Sequence, residues 1–169
     1  MFTFPQTRSQ DGRAILRPGR FAAFTLIELV IVTVIVAIVG SIALPRYAKA
    51  VAHYRLNSAL NRVVADITAA RSLAMATSKK QTVTFNAGGN SYTVSGLVSL
   101  ENNGSIYTAN LSAEPYKTDI TLVSFGFFQQ TISFDAYGTP DNAGVLFLAC
   151  GGVSKSIHVD GNTGKASIP

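Results

Sequence analysis

One cysteine, no tryptophan, two histidines and no arginine beyond Arg71 are the scarcities that shape this chain of 169 residues. A lone thiol has no partner within the chain, so an intramolecular disulfide is excluded. Its setting, Val145-Leu146-Phe147-Leu148-Ala149-Cys150, marks Cys150 as a small buried hydrophobe. The histidines, His53 and His158, stand apart, and no HxxxH, CxxC or GxSxG pattern occurs. Asp135, Asp141, His158 and Asp160 read as solvated turn and strand positions. Asp160-x-Asn162-x-Gly164 begins like a calcium loop but lacks the downstream acidic ligand, so it reads as a turn. No catalytic residue, metal ligand or cofactor is expected. Internal repeats and low-complexity tracts are absent too.

The net charge of +5 is unevenly spread. Residues 1–23 carry Arg8, Arg13, Arg17 and Arg20 against Asp11, and residues 24–75 carry five bases against Glu28 and Asp66. Beyond residue 75, five lysines face six acids, a net of −1. The basic character belongs to the N-terminal segments, which weakens a generic nucleic-acid reading for the distal part. Lys155 and Lys165 are the candidate DNA contacts there, and two or three lysines on a near-neutral domain predict weak, salt-sensitive binding.

What the chain has in abundance is a long apolar run. Residues 24–44 hold one charge, Glu28, in 21 residues. As a helix that is about 31 Å, against a hydrocarbon core of roughly 30 Å. A carboxylate at membrane depth costs on the order of 2.5–3.5 kcal/mol, which makes Glu28 a functional candidate. Thr25-Leu26-Ile27-Glu28 also fits a capping box, with Thr25 at the N-cap and Glu28 returning a hydrogen bond. The four leader arginines favour a cytoplasmic leader, although Arg46, Lys49 and Arg55 blunt the asymmetry. A secretory signal with Ala48-Lys49-Ala50 as its cleavage site fits less well, because the run is too long and a helical pattern continues through that tripeptide.

Pro45 is the expected kink point, where a ring replaces a backbone hydrogen bond. After it, Ala52, Leu56, Ala59, Leu60, Val63, Ile67, Ala70 and Ala74 recur at spacings of three and four, predicting an amphipathic helix to about residue 77. The period then changes to two. Strands are predicted at 82–85 and 92–95 around the turn Ala87-Gly88-Gly89-Asn90, and near 120–128, 131–134, 145–150, 156–159 and 166–168. A loop is predicted over residues 101–117, and Asp160-Gly161-Asn162-Thr163-Gly164 as a turn.

A basic leader, a small residue, Phe24-Thr25-Leu26-Ile27-Glu28, an apolar helix, Pro45 and a β-rich remainder together resemble a type IV prepilin or type II secretion pseudopilin. More weakly, Ala70-Arg71-Ser72-Leu73-Ala74, Ile132-Ser133-Phe134-Asp135-Ala136-Tyr137-Gly138 and Ile157-His158-Val159 with Gly164-Lys165-Ala166-Ser167 resemble the GspH/FimT-type minor pseudopilins. The resemblance implies an α+β fold, with a long N-terminal helix, transmembrane then amphipathic, packed on two small antiparallel sheets. The implied divisions are a cleaved leader at 1–23, a membrane and filament-core helix at 24–45, its amphipathic continuation at 46–77 and a β domain at 78–169.

It also implies that a prepilin peptidase cuts between Ala23 and Phe24 and methylates the new amine of Phe24; the family usually has Gly where Ala23 stands. Glu28 would then pair with the Phe24 ammonium during subunit assembly, since opposite charges in low dielectric offset each other's desolvation. Gly40 and Ser41 admit either local unwinding in a filament or a small-residue helix contact. The implied partners are other pilins, the peptidase, an inner-membrane assembly platform and membrane lipid. The implied location is the bacterial inner membrane, with a cytoplasmic leader and periplasmic β domain, and then a filament. The expected work is structural, as a tip or priming subunit. A DNA-binding minor pilin acting in transformation and a membrane-anchored periplasmic enzyme are the readings from other classes.

Overall fold

The computed structural model describes residues 24–99 and 104–169. The leader with Ala23, and residues 100–103 of the expected loop, lie outside the described residues. One helix, α1 (Leu26–Thr77), is followed by β1 (Gln81–Asn86), β2 (Ser91–Val98), β3 (Ile106–Asn110), β4 (Asp119–Phe125), β5 (Thr131–Phe134), β6 (Gly144–Cys150), β7 (Val153–Val159) and β8 (Ala166–Ser167). Chain contacts separate two compact units, one ending at Gly40 and one running from Ser41 to Pro169.

In the first unit, every residue from 24 to 39 is exposed. With almost no polar side chains, this segment satisfies its backbone donors and acceptors internally, and a helix is how a single segment does so. By length and composition, α1 contains a stretch able to cross a membrane, with a mean hydropathy of 2.7.

In the second unit, α1 presents a stripe. Ala52, Leu56, Ala59, Leu60, Val63, Ile67, Ala70 and Ala74 are all buried, the same positions that the three-and-four spacing marks. They join strand residues in one core. Each fully buried Leu, Ile or Val contributes roughly 1.5–3 kcal/mol.

The strands form two four-stranded antiparallel sheets, ordered β3-β2-β1-β5 and β4-β6-β7-β8. Consecutive strands β4 and β5 therefore belong to different sheets. Phe85 of the first sheet stacks on Phe125 of the second at 5.7 Å and packs at a tilt against Tyr92 at 5.6 Å, so aromatic packing spans both sheets. Asn90, at φ 47°, donates through Nδ2 to Asp119 Oδ1 at 2.8 Å and accepts from the Ile120 amide at 2.8 Å. That residue ties the β1–β2 turn to the start of β4.

Three strand expectations are corrected. The 101–117 segment holds β3, because Ile106-Tyr107-Thr108-Ala109 alternates as a strand and pairs with β2 at Tyr107↔Val94 and Ala109↔Tyr92. Its Asn, Gly and Ser neighbours conceal that alternation in the sequence. The strand expected over 120–128 stops at Phe125, since Phe125 and Gln129 exchange backbone hydrogen bonds and close a tight turn. The 156–159 strand begins earlier, at Val153, because Gly151 and Gly152 turn the chain back directly after β6.

Candidate assembly surfaces

The helix start comes first. The Glu28 amide donates to Thr25 Oγ1 at 3.2 Å, and the Leu29 amide to the Thr25 carbonyl at 3.2 Å, so Thr25 is the N-cap. Only this forward half of the expected capping box forms. The return bond from the Glu28 carboxylate to the Thr25 amide is absent, and no described residue holds that carboxylate. Phe24 precedes the cap and is exposed; its expected cleavage partner Ala23 lies outside the described residues. Phe24 and Glu28 thus flank a cap that uses neither side chain. Pro45 sits inside α1, which continues through it, and Gly40 and Ser41 are both helical.

Within the second unit, one polar cluster fixes α1 to the first sheet. Asp66 Oδ2 accepts from Tyr92 Oη at 2.6 Å, Tyr107 Oη at 2.7 Å and Arg62 Nε at 3.2 Å. Arg62 also donates to Tyr107 Oη at 3.1 Å from Nε and lies over its ring at 5.6 Å. Burial, and then the bond to Asp66, push the Tyr92 phenol well above its ordinary value. Burial also raises Tyr107. The bond to Tyr107 holds Arg62 above its usual range, with burial opposing. The sequence discloses Arg62 and Asp66 as an i,i+4 pair, but not the tyrosines. Tyr107 was hidden because β3 reads as loop.

A second junction joins the three segments that carried the weaker resemblance. Arg71 Nε donates to the Gly138 carbonyl at 3.1 Å, tying the end of α1 to the β5–β6 turn. Gly164 packs between them: a Cβ there would stand 2.8 Å from the Gly138 carbonyl, 3.0 Å from Phe134 and 3.3 Å from Arg71. Both glycines have φ above +60°, so side chains would be strained as well as crowded. Arg71 thus meets Gly138 and Gly164, 67 and 93 residues further along the chain.

The lysines suggested for DNA are not brought together. Lys155 Nζ donates to Asn57 Oδ1 at 2.8 Å, whereas Lys165 lies in the turn after β7, its carbonyl bonded to Asp160. Lys155 lies within β7 and the Lys165 carbonyl is bonded to Asp160 just past its end, five residues on, so their backbones are about 16 Å apart. Among the described residues, no group of three or more His, Cys, Asp or Glu is placed to hold a metal ion. Cys150 is buried, with its thiol against the Lys117 carbonyl.

A long helix packed on two antiparallel sheets is also the architecture of a solved structure. The type IV minor pilin FimU of Pseudomonas aeruginosa superposes with a TM-score of 0.52 at 16% identity, over 69% of this chain and 90% of FimU. The fold is that of a type IV pilin. A second crystal form of FimU aligns over 68% of this chain and 92% of FimU, at 16% identity and a TM-score of 0.49. No protein-family model matches the chain, and no curated protein is significantly similar in sequence.

Proposed function

We propose that this chain is a minor pilin or pseudopilin, a structural subunit that enters a type IV pilus or type II secretion filament at its tip or during priming. The observation that carries this reading is a conjunction. An exposed apolar helix opens with one uncommitted carboxylate, Glu28, and leads into the fold that FimU also has. A carboxylate unused by the cap is available for another charge. The amine that cleavage between Ala23 and Phe24 would create is a charge of the right sign, one turn away.

In this reading, a prepilin peptidase removes residues 1–23 at the cytoplasmic face and methylates Phe24. Residues 24–45 anchor the subunit in the inner membrane, in contact with lipid, until the assembly platform moves it among other pilins. The β domain faces the periplasm. The chain works by assembly and not by catalysis. A DNA-receptor role gains nothing from Lys155, which is held by Asn57, or from Lys165 in the turn beyond the end of β7.

The test is the mass of the protein's N-terminus in cells that make the peptidase. The expected mature chain starts at N-methylated Phe24; an intact leader contradicts the reading.

A further inference from the structure

The apolar run ends beside two cations that no described residue uses. Arg46 and Lys49 follow Leu44, are exposed, and are bonded by no described side chain. Three residues apart on α1, they share a face. Between Glu28 and Asp66 the sequence holds no acid, so neither cation has a counter-ion within four turns along the helix.

The strand side of the second unit does not supply one either. Tyr47, Arg55 and Lys117 line one hollow at the Leu44 end of that unit. The acid beside it, Glu114, is taken by Arg55 at 3.3 Å and by Lys117 at 2.6 Å. These three side chains carry a net charge of +1, so they leave no negative charge for Arg46 and Lys49.

Depth decides what can supply it. The helical rise puts Arg46 about 3 Å and Lys49 about 7.5 Å beyond Leu44. With Leu44 at the edge of the hydrocarbon core, both lie in the headgroup layer, which is roughly 5–7 Å thick on each face. Tyr47, 72% exposed, is about 4.5 Å beyond Leu44, at the depth where amphipathic rings settle. Tyr54 is as exposed but about 15 Å beyond, outside that layer. Cations on this flank also oppose the four leader arginines in setting orientation, so topology does not account for them. Fixed negative charge at their depth is what an anionic phospholipid provides.

We propose that Arg46 and Lys49 hold the phosphate of an anionic phospholipid, with Tyr47 beside it in the headgroup layer. A guanidinium grips phosphate through two parallel bonds, and the ammonium adds a point charge. The inference rests on the membrane anchor of the proposed function and adds a lipid preference to it.

The chain has no tryptophan, so Tyr47→Trp puts a single reporter at the site and keeps an interfacial aromatic there. The full-length protein is reconstituted in vesicles of phosphatidylcholine and phosphatidylglycerol, with brominated acyl chains on one lipid or the other. Quenching should show phosphatidylglycerol enriched about tenfold over its bulk share beside residue 47, and less so in about 0.5 M salt. Arg46→Gln with Lys49→Gln should return it to the bulk share. Lys79→Gln with Lys80→Gln, an equal loss of charge beyond the other end of α1, should not. Native mass spectrometry of the chain with Tyr47 intact, released from nanodiscs of the same lipids, should find retained phosphatidylglycerol that the Arg46 and Lys49 variant loses. Bulk-share quenching, or retention unchanged in that variant, overturns the site and leaves the anchor standing. An equal effect of the Lys79 and Lys80 variant reduces the preference to net charge and also overturns the site. Protein that alkaline carbonate strips from the vesicles has no membrane anchor, which overturns both.

Discussion

The two parts of α1 dispose of their apolar surface in opposite ways. From residue 24 to 39 the helix is apolar on every side, and every residue is exposed. From Ala52 to Ala74, eight apolar residues form one stripe, and all eight are buried in the chain's own core. The pattern, more than the amount, separates a surface satisfied within the chain from one that needs lipid or another subunit. Polar groups divide in the same way. Asp66 is committed three times over, whereas no described residue holds the Glu28 carboxylate. Substitutions in the second part should therefore unfold the domain, and substitutions in the first should leave it folded.

The largest expected effect is in the buried stripe. Leu60→Ala removes a fully buried side chain and should cost about 2–5 kcal/mol of unfolding free energy. Val34→Ala, on the exposed part, should change the same unfolding free energy by less than about 0.5 kcal/mol. Equal losses would erase the distinction between the two parts.

Next is the tyrosine cluster. Tyr92→Phe leaves Asp66 one donor short and should cost about 1–3 kcal/mol near neutral pH. Because folding raises the Tyr92 phenol above its ordinary value of about 10, its contribution is complete below that pH. It declines as the pH rises further, when the unfolded chain loses the proton first, by up to about 1.4 kcal/mol per pH unit. Denaturation midpoints at increasing alkaline pH should fall less steeply for Tyr92→Phe than for the natural chain. Parallel slopes would mean that Tyr92 is not the group responsible.

How much of this was legible in the sequence depends on how local the signal is. The stripe was readable residue by residue, because helical spacing and burial are one geometric fact. The β1–β2 hairpin was readable because Ala87-Gly88-Gly89-Asn90 supplies the turn. By contrast, β3 was lost, since its short alternation sits among Asn, Gly and Ser and its stability comes from β2 and from Tyr107 on Asp66. The meeting of Arg71, Gly138 and Gly164 was visible only as three separate stretches that resemble one family. Their contact depends on strand order, which no local pattern encodes. At the candidate site, the cap by Thr25 was legible. That the Glu28 carboxylate takes no part in it was not, because a sequence gives the capping-box spacing whether or not the return bond forms.

The smallest effect should come from the cap. Thr25→Val removes the acceptor for the Glu28 amide and should weaken the first helical turn by about 1 kcal/mol, read as faster amide exchange there. Filament incorporation should change little, which keeps the cap distinct from the carboxylate beside it.

Filament incorporation of Glu28→Gln bears most directly on the central claim. The amide keeps the size and the Thr25 cap but cannot pair with an ammonium. The sheared filament fraction should lose most of the protein, while the thermal midpoint of the β domain and the level of membrane-bound protein stay unchanged. Normal incorporation would contradict the account and leave Glu28 as one more exposed residue of the first turn.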